Sequence, residues 1–248
     1  MLPFENLGAP EDEYFADGVT DAVRGKLAAL PGLQVTARSS SSQYKKTLKT
    51  PQQIGEELGV QSLLPATVRW EKSASGGSRV QVTPELIQAT TGSTRWQQPF
   101  DAVLSGVFQV QADIASRVAQ ALSVALGDSA REQLAEQPTL SLAAYDAYLK
   151  GEEVSGGFSA LDAPTLPRAA AYYAEAVALD STFVMAWAQL SRAHSFIYGL
   201  NAPTPGDAET AQRAPSARWL WPPPDPRATS PSQPTMDWWP RTTSGPST

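Results

Sequence analysis

The sequence predicts an α/β domain with a layered, mixed sheet over residues 1–137, an all-α segment over 138–213 and an irregular tail over 214–248. The first unit runs in the order β-α-β-α-β-β-β-α, which favours a layered α/β architecture. Residues 107–125 place apolar side chains at three- and four-residue steps, which predicts a helix with one buried face. The last 35 residues hold 9 of the 21 prolines and 4 of the 7 tryptophans, a different kind of sequence.

The first half of the α/β unit is predicted from apolar spacing and from capping residues. Residues 2–4 indicate a short strand, and Asp17 is expected to cap a helix whose apolar side chains continue to Leu30. Residues 33–38 predict a second strand, and residues 39–42 predict a serine-rich loop. Residues 51–58 predict a short helix that Gly59 closes.

The second half of the unit is predicted to supply three strands before the helix over 107–125. These strands are residues 60–71, residues 80–89 and a segment around Trp96. Pro65 and Pro84 each remove a hydrogen-bond donor from a predicted strand, so each is expected at a strand edge or a bulge.

Composition excludes several kinds of site. The chain has no cysteine, one histidine (His194) and a net charge of −6, which excludes disulfides, Cys/His zinc sites and cysteine nucleophiles. The acidic balance argues against nucleic-acid binding. No apolar run reaches 18 residues, and acidic residues begin at Glu5, so we expect neither a membrane span nor a signal peptide here.

Several collinear segments of the α/β unit resemble the TolB-like amino-terminal domain of bacterial multidomain signalling proteins. The matching segments are residues 2–7, 13–18, 54–60, 79–83, 86–92, Trp96 and residues 100–101. The resemblance implies a Rossmann-like layered domain. Pro65 and Pro84 depart from the family pattern, and the family's first strand begins before its Leu-Pro-Phe, so Met1 is expected to cut that strand short.

The helical segment resembles a linker helix followed by tetratricopeptide (TPR) repeats. Residues 141–151 match the linker, and the matches to one to one-and-a-half repeats include Ala169, Tyr173, Ala176, Trp187, Leu190, Ser191 and His194. Small residues at these positions let helices approach, and Tyr173 and Trp187 are expected to fill the gap between them. The resemblance implies a protein or peptide partner in a groove faced by Met185 and Arg192; the alternative for Arg192 is a solvated helix face.

The tail allows two interpretations. One is that residues from about 214 are a frameshifted reading of further repeats. Because Trp has a single codon, the shifted frame reads alanine across Trp221 and Pro222, and residues 214–223 can then encode a sequence that resembles residues 174–181. The other is a disordered, proline-rich tail that binds partners as a polyproline II helix.

Two polar clusters and two single features in the sequence are candidate sites. The acidic cluster Glu11, Asp12, Glu13, Asp17 and Asp21 suits a cation or acid–base chemistry, or else complements a helix N-terminus. Residues 39–42 with Tyr44, Lys45 and Lys46 suit an anion, or else form a solvated loop. Gly76 and Gly77 indicate a hairpin turn, and His194 is expected to pack within a helix.

Together these observations predict a non-catalytic sensory or scaffolding fragment, with no catalytic, metal-binding or cofactor-binding residues. The alternatives are a small-ligand-sensing α/β domain, an enzyme that uses the acidic cluster, or the regulatory part of a Ser/Thr protein kinase or adenylate cyclase. The resemblance implies an extracytoplasmic part of a membrane-anchored protein, or a cytoplasmic one if no membrane helix precedes it.

Overall fold

A computed structural model of the protein describes residues 1–72, 78–156 and 165–200. By their contacts the residues divide into two units, Met1–Pro215 and Ser216–Thr248, and all described residues belong to the first. The predicted hairpin turn at Gly76 and Gly77 and both interpretations of the tail lie outside the described residues. The boundary predicted near residue 137 stays a prediction.

The sheet is mixed, as the sequence predicts. Its strands are β1 (Glu5–Asn6), β2 (Ser62–Leu63), β3 (Ala66–Glu71), β4 (Arg79–Gln88), β5 (Ser93–Gln97) and β6 (Phe100–Val103). The ladder between β1 and β3 is parallel, and those of β4 with β2, β3, β5 and β6 are antiparallel. β4 is therefore the central strand, with β3 and β6 beside its first half and β2 and β5 beside its second.

The helices are α1 (Glu13–Ala28), α2 (Arg38–Ser41), α3 (Pro51–Leu58), α4 (Val107–Ala121), α5 (Asp128–Ala135), α6 (Leu142–Ser155), α7 (Thr165–Leu179) and α8 (Val184–Leu200). α1 and α4 pack against each other and against one face of the sheet. On that face Val68, Val80 and Val82 are at most 1% exposed, whereas Arg69 and Gln81 on the other face are exposed. Burial thus alternates along the strands, as expected for a sheet with one covered face.

Both prolines lie at irregularities, as predicted. Pro65 separates β2 from β3, and the N–H of Glu85 donates to its carbonyl at 3.0 Å. Pro84 pairs with Ala66, and it lies where β4 changes its partner on the other side from β6 to β5. A residue without an N–H is tolerated at this junction because neither β5 nor β6 pairs with it there.

Three predictions for the first half of the domain are wrong. Asp17 does not cap α1, because the helix already begins at Glu13. The earlier start buries Phe15 on the same face as Val19. Residues 33–38 form no strand: Leu33 and Val35 pack against the core, so their alternation reflects side-chain burial without backbone pairing. The serine-rich segment is not an open loop, because α2 and a 3-10 turn over Ser42–Tyr44 follow one another there.

Other differences are small. The first strand lies three residues later than predicted, although the Leu2 N–H donates to the Leu64 carbonyl at 3.1 Å and the Leu7 N–H to the Val68 carbonyl at 2.8 Å. α4 ends at Ala121, before the predicted residue 125, because Ser123 takes a left-handed φ of 59°. β6 is an additional strand, and α3 ends as predicted at Gly59, with a φ of 63° and a capping box at Thr50.

α7 packs against both α6 and α8, and α6 also packs on α1. Two glycines allow these close approaches. A Cβ at Gly18 would lie 2.6 Å from Leu149 Cδ1, and a Cβ at Gly151 would lie 2.5 Å from Tyr173 Cε1. Tyr173 is 0% exposed, so it fills the space between α6 and α7 as the sequence predicts. Most buried residues of the α/β layer and of these helices form one continuous hydrophobic cluster. A second, smaller cluster around α3 consists of Leu2, Tyr44, Ile54, Leu63 and Ala89.

Candidate functional site

A cluster of ion pairs lies along α1. Glu13, Asp17 and Asp21 are four residues apart and therefore share one face of the helix. Lys45 lies opposite, with Nζ 2.7 Å from Glu13 Oε1 and 2.6 Å from Asp17 Oδ1. Burial acts to lower the pKa of Lys45, but the hydrogen bonds to Asp17 and Glu13 outweigh it and raise the pKa.

One turn further along α1, Asp21 lies between two guanidinium groups. Arg24 binds Asp21 Oδ1, and Arg38 binds Oδ2 at 2.5 Å. The Arg24 side chain is only 11% exposed, and its second terminal nitrogen donates to Ser41 Oγ at 3.3 Å. Burial raises the pKa of Asp21 against the effect of both arginines, and it lowers the pKa of Arg24.

These side chains surround a small cavity of about 70 Å³ between α1, Pro3 and the segment that contains α2. Its charged and hydroxyl-bearing lining consists of Asp17, Thr20, Asp21, Arg24, Arg38, Ser42 and Lys45. The Thr20 hydroxyl is already engaged, because it accepts a hydrogen bond from the Phe4 N–H at 3.0 Å and donates to the Ala16 carbonyl at 2.8 Å. The Ser42 hydroxyl is engaged as well, because it donates to the Ser39 carbonyl at 3.3 Å, and the carboxylates and cations of the lining pair with one another.

The structure separates the five acidic residues that the sequence places together. Asp12 is buried and pairs with Lys72 at the end of β3, and Glu11 is exposed. Among the described residues no group of three or more His, Cys, Asp or Glu side chains is arranged to hold a metal ion. Asp17 and Asp21 lie beyond the first turn of α1, so only the residues at the start of α1 can complement its dipole.

Two lysines that follow α2 form ion pairs with the acidic face of α1, and these ion pairs are not apparent from the sequence. Lys45 pairs with α1, and Lys46 Nζ lies 3.9 Å from Glu13 Oε2. Tyr44 instead faces α3, where its hydroxyl donates to Glu57 Oε2 at 2.6 Å. The acidic residues that were predicted to bind a cation and the lysines that were predicted to bind an anion thus pair with each other in one network.

A second polar cluster joins α6 to α7 and α8. The Tyr173 hydroxyl donates to Glu152 Oε1 at 2.8 Å and lies 3.0 Å from Ser155 Oγ. The pKa of Glu152 is raised by burial; the charges of Arg38 and Arg192 oppose this shift and that of Asp21 adds to it. Charges on α1, α2 and α8 therefore all act on the pKa of Glu152.

Met185 and Arg192 both lie on α8 and are exposed, Met185 to 44%. Arg192 lies over the Phe196 ring, 5.8 Å from its centroid. Gln189, between them in sequence, forms a side-chain hydrogen bond with Tyr148 of α6. These positions agree with an exposed stripe on α8, and binding by Met185 and Arg192 stays a prediction.

His194 is half-buried in α8, as the sequence predicts for a packing residue. Trp187 is also half-buried, and its Nε1–H donates to the Ser181 carbonyl at 2.9 Å. No helix among residues 1–72, 78–156 and 165–200 combines the length and the apolarity that a membrane crossing needs.

Arg24, Arg38 and Glu152 were not singled out from the sequence. A local signal exists for Arg24, which follows Asp21 by three residues on one helix face. Arg38 is 17 residues from Asp21, and Glu152 reaches the same region only through the packing of α6 on α1. Only the tertiary structure reveals these two residues.

No family model matches the chain. Over 162 residues the chain is 32% identical to Putative adenylate cyclase 3 of Rhizobium meliloti (strain 1021), a match covering 65% of this chain and 27% of that protein. The crystal structure of Lipoprotein GNA1162 from Neisseria meningitidis aligns with a TM-score of 0.35 and 15% identity over 51% of this chain and 96% of that chain, too weak to support a fold argument. The chain therefore spans about a quarter of the length of the curated relative that it matches.

Proposed function

We propose that this chain is a non-catalytic segment of a bacterial signalling protein, a TolB-like domain followed by TPR-like helices that bind a protein segment. The similarity to Putative adenylate cyclase 3, which extends over 27% of that protein, supports a signalling context. We further propose that the chain forms the regulatory part of an adenylate cyclase. In that case the purified chain converts no ATP to cyclic AMP.

The observation that carries this proposal is the stripe on α8 that faces α6. Met185, Gln189 and Arg192 follow one another at four- and three-residue steps, so they lie on one side of the helix. Gln189 contacts Tyr148, and the charge of Arg192 acts on Glu152, which places this stripe beside α6. Sequential packing of α6, α7 and α8, with a tyrosine against a glycine, supports the TPR-like interpretation.

The side chains of the stripe indicate the chemistry of the partner. α8 contains no Asp or Glu, and Arg192 is its one side chain with a permanent charge. Met185 adds an exposed, adaptable apolar surface of the kind used in peptide recognition. Seven residues of helix span about 10 Å, which an extended peptide covers in about three residues. The partner we propose is an extended peptide with an apolar residue and a carboxylate about three residues apart.

Fluorescence anisotropy with defined peptides tests this proposal. The first peptide carries leucine and glutamate three residues apart, the second replaces glutamate by lysine, and the third places the two residues adjacent. We expect only the first to bind. Arg192→Glu should weaken its binding about three- to tenfold, because one exposed ion pair becomes a repulsive pair.

Arg168→Glu on α7 is the matched control, since Arg168 is also exposed and its reversal changes the net charge equally. It should leave the affinity unchanged. If both reversals weaken binding equally, the attraction depends on the overall charge, and the stripe on α8 is not the binding site. Equal affinity for all three peptides would also contradict the proposal.

A further inference from the structure

Glu152 on α6 is a half-buried carboxylate without an ion pair in the part of the chain that the structure describes. Its Oε1 accepts a hydrogen bond from the Tyr173 hydroxyl at 2.8 Å, and no described residue donates to its Oε2. The charges of Arg38 and Arg192 act on Glu152 without forming an ion pair with it. A carboxylate withdrawn from water normally has a cationic partner, so Glu152 is a position at which a bound molecule can supply one.

The side chains behind Glu152 hold its carboxylate in place. Tyr173 is 0% exposed and Ser155 is 3% exposed. Ser155 Oγ donates to the Glu152 carbonyl at 3.1 Å and lies 3.0 Å from the Tyr173 hydroxyl, which in turn holds Glu152 Oε1. The carboxylate is therefore positioned from its buried side before any ligand arrives, which lowers the cost of ordering it on binding.

Glu152 lies on the face of α6 that meets α8. It follows Tyr148 by four residues, so the two side chains share one side of the helix. Tyr148 is hydrogen-bonded to Gln189, the central residue of the stripe on α8. The surface between the two helices therefore carries a cation on the α8 side, Arg192, and an anion on the α6 side, Glu152.

An extended peptide can meet both of these charges at once. Successive side chains of an extended chain point to opposite sides. When a glutamate of the peptide points to Arg192, the residue next to it points the other way, toward α6. A lysine or arginine at that neighbouring position complements Glu152, whereas a second carboxylate there would be repelled.

We propose, building on the peptide binding proposed for α8, that Glu152 selects a partner segment with a lysine or arginine directly next to its glutamate. The class of partner is then an extended segment with one apolar residue and two adjacent charges of opposite sign. Glu152 determines specificity in this arrangement because its charge favours a cation and disfavours an anion at the same position of the peptide.

Fluorescence anisotropy with three peptides tests this assignment, and all three contain leucine and glutamate three residues apart. The first has lysine directly after the glutamate, and the second has alanine there. The third has lysine one residue further on, where it points to the same side as the glutamate. The first should bind about three- to tenfold more tightly than the second, as expected for one partly buried ion pair. The third should bind like the second, although its net charge equals that of the first.

Two variants connect this preference to Glu152. Glu152→Gln keeps an acceptor for the Tyr173 hydroxyl but removes the charge, so it should bind the first and second peptides equally; circular dichroism checks that it remains folded. Glu153→Gln is the matched control, since Glu153 is the exposed neighbour on the same helix and its substitution changes the net charge equally. It should retain the full preference for the first peptide.

The outcomes separate this assignment from the peptide binding on which it rests. A preference that persists in Glu152→Gln overturns the assignment, as does equal binding of the first and third peptides. If the alanine peptide binds and the adjacent lysine adds nothing, selection by Glu152 is wrong, whereas binding by the stripe on α8 stands. If none of the three peptides binds, both proposals fail.

Discussion

The contact of α6 with α1 can be tested with two glycines of the same helix. A Cβ at Gly18 would lie 2.6 Å from Leu149 Cδ1, and Leu149 is itself buried, with 4% exposed. Overpacking costs about 1–3 kcal/mol, against a gain of about 1 kcal/mol for alanine over glycine within a helix. Gly25 has no atom within 4 Å of its Cβ position, so Gly25→Ala should show the gain alone.

We therefore expect Gly18→Ala to be about 1–3 kcal/mol less stable than Gly25→Ala in urea unfolding monitored by circular dichroism. The double variant Gly18→Ala with Leu149→Ala isolates the contact. Leu149→Ala alone should cost about 2–5 kcal/mol, but in that background alanine at position 18 should no longer be unfavourable. Equal stability of the two single glycine variants would refute direct packing of α6 on α1.

Three further variants test other elements. Gly151→Ala should destabilise the protein by about 1–2 kcal/mol, as measured by urea unfolding, because the ring of Tyr173 is fully buried against that position. Thr50→Ala should cost about 1 kcal/mol in the same assay because it removes the capping box of α3, and Thr50→Ser should retain most of that stability. Since burial raises the pKa of Glu152, the wild type should lose stability as the pH rises above the unfolded value of about 4.3. Glu152→Gln should then raise the melting temperature at about pH 8 but not at about pH 4, and the exposed Glu56→Gln should do neither.

The sequence predicts an element well where one physical signal dominates. α4 was predicted because its apolar side chains follow the helical period, and Val107, Ile114 and Val118 are buried as expected. Residues 33–38 form no strand although their apolar side chains alternate, since alternation indicates burial but not a neighbouring strand. Whether a segment pairs depends on a neighbouring strand that is distant in sequence, and only the tertiary fold brings one there.

The same distinction applies to the charged site. Spacing alone places Glu13, Asp17 and Asp21 on one helix face, provided that α1 begins early enough to contain all three. Their partner Lys45 is 28 residues from Asp17, and no periodic pattern connects them. The acidic and the basic cluster were therefore each recognised from the sequence, whereas their mutual neutralisation was not.

The different sides of α1 contact different parts of the structure. Its apolar side, with Phe15 and Val19, packs in the core with the sheet, whereas Gly18 admits α6 and Asp21 lines the cavity. Burial raises the pKa of Glu152 on α6, and the charge of Asp21 on α1 adds to this shift, so the two helices are linked electrostatically as well as by packing.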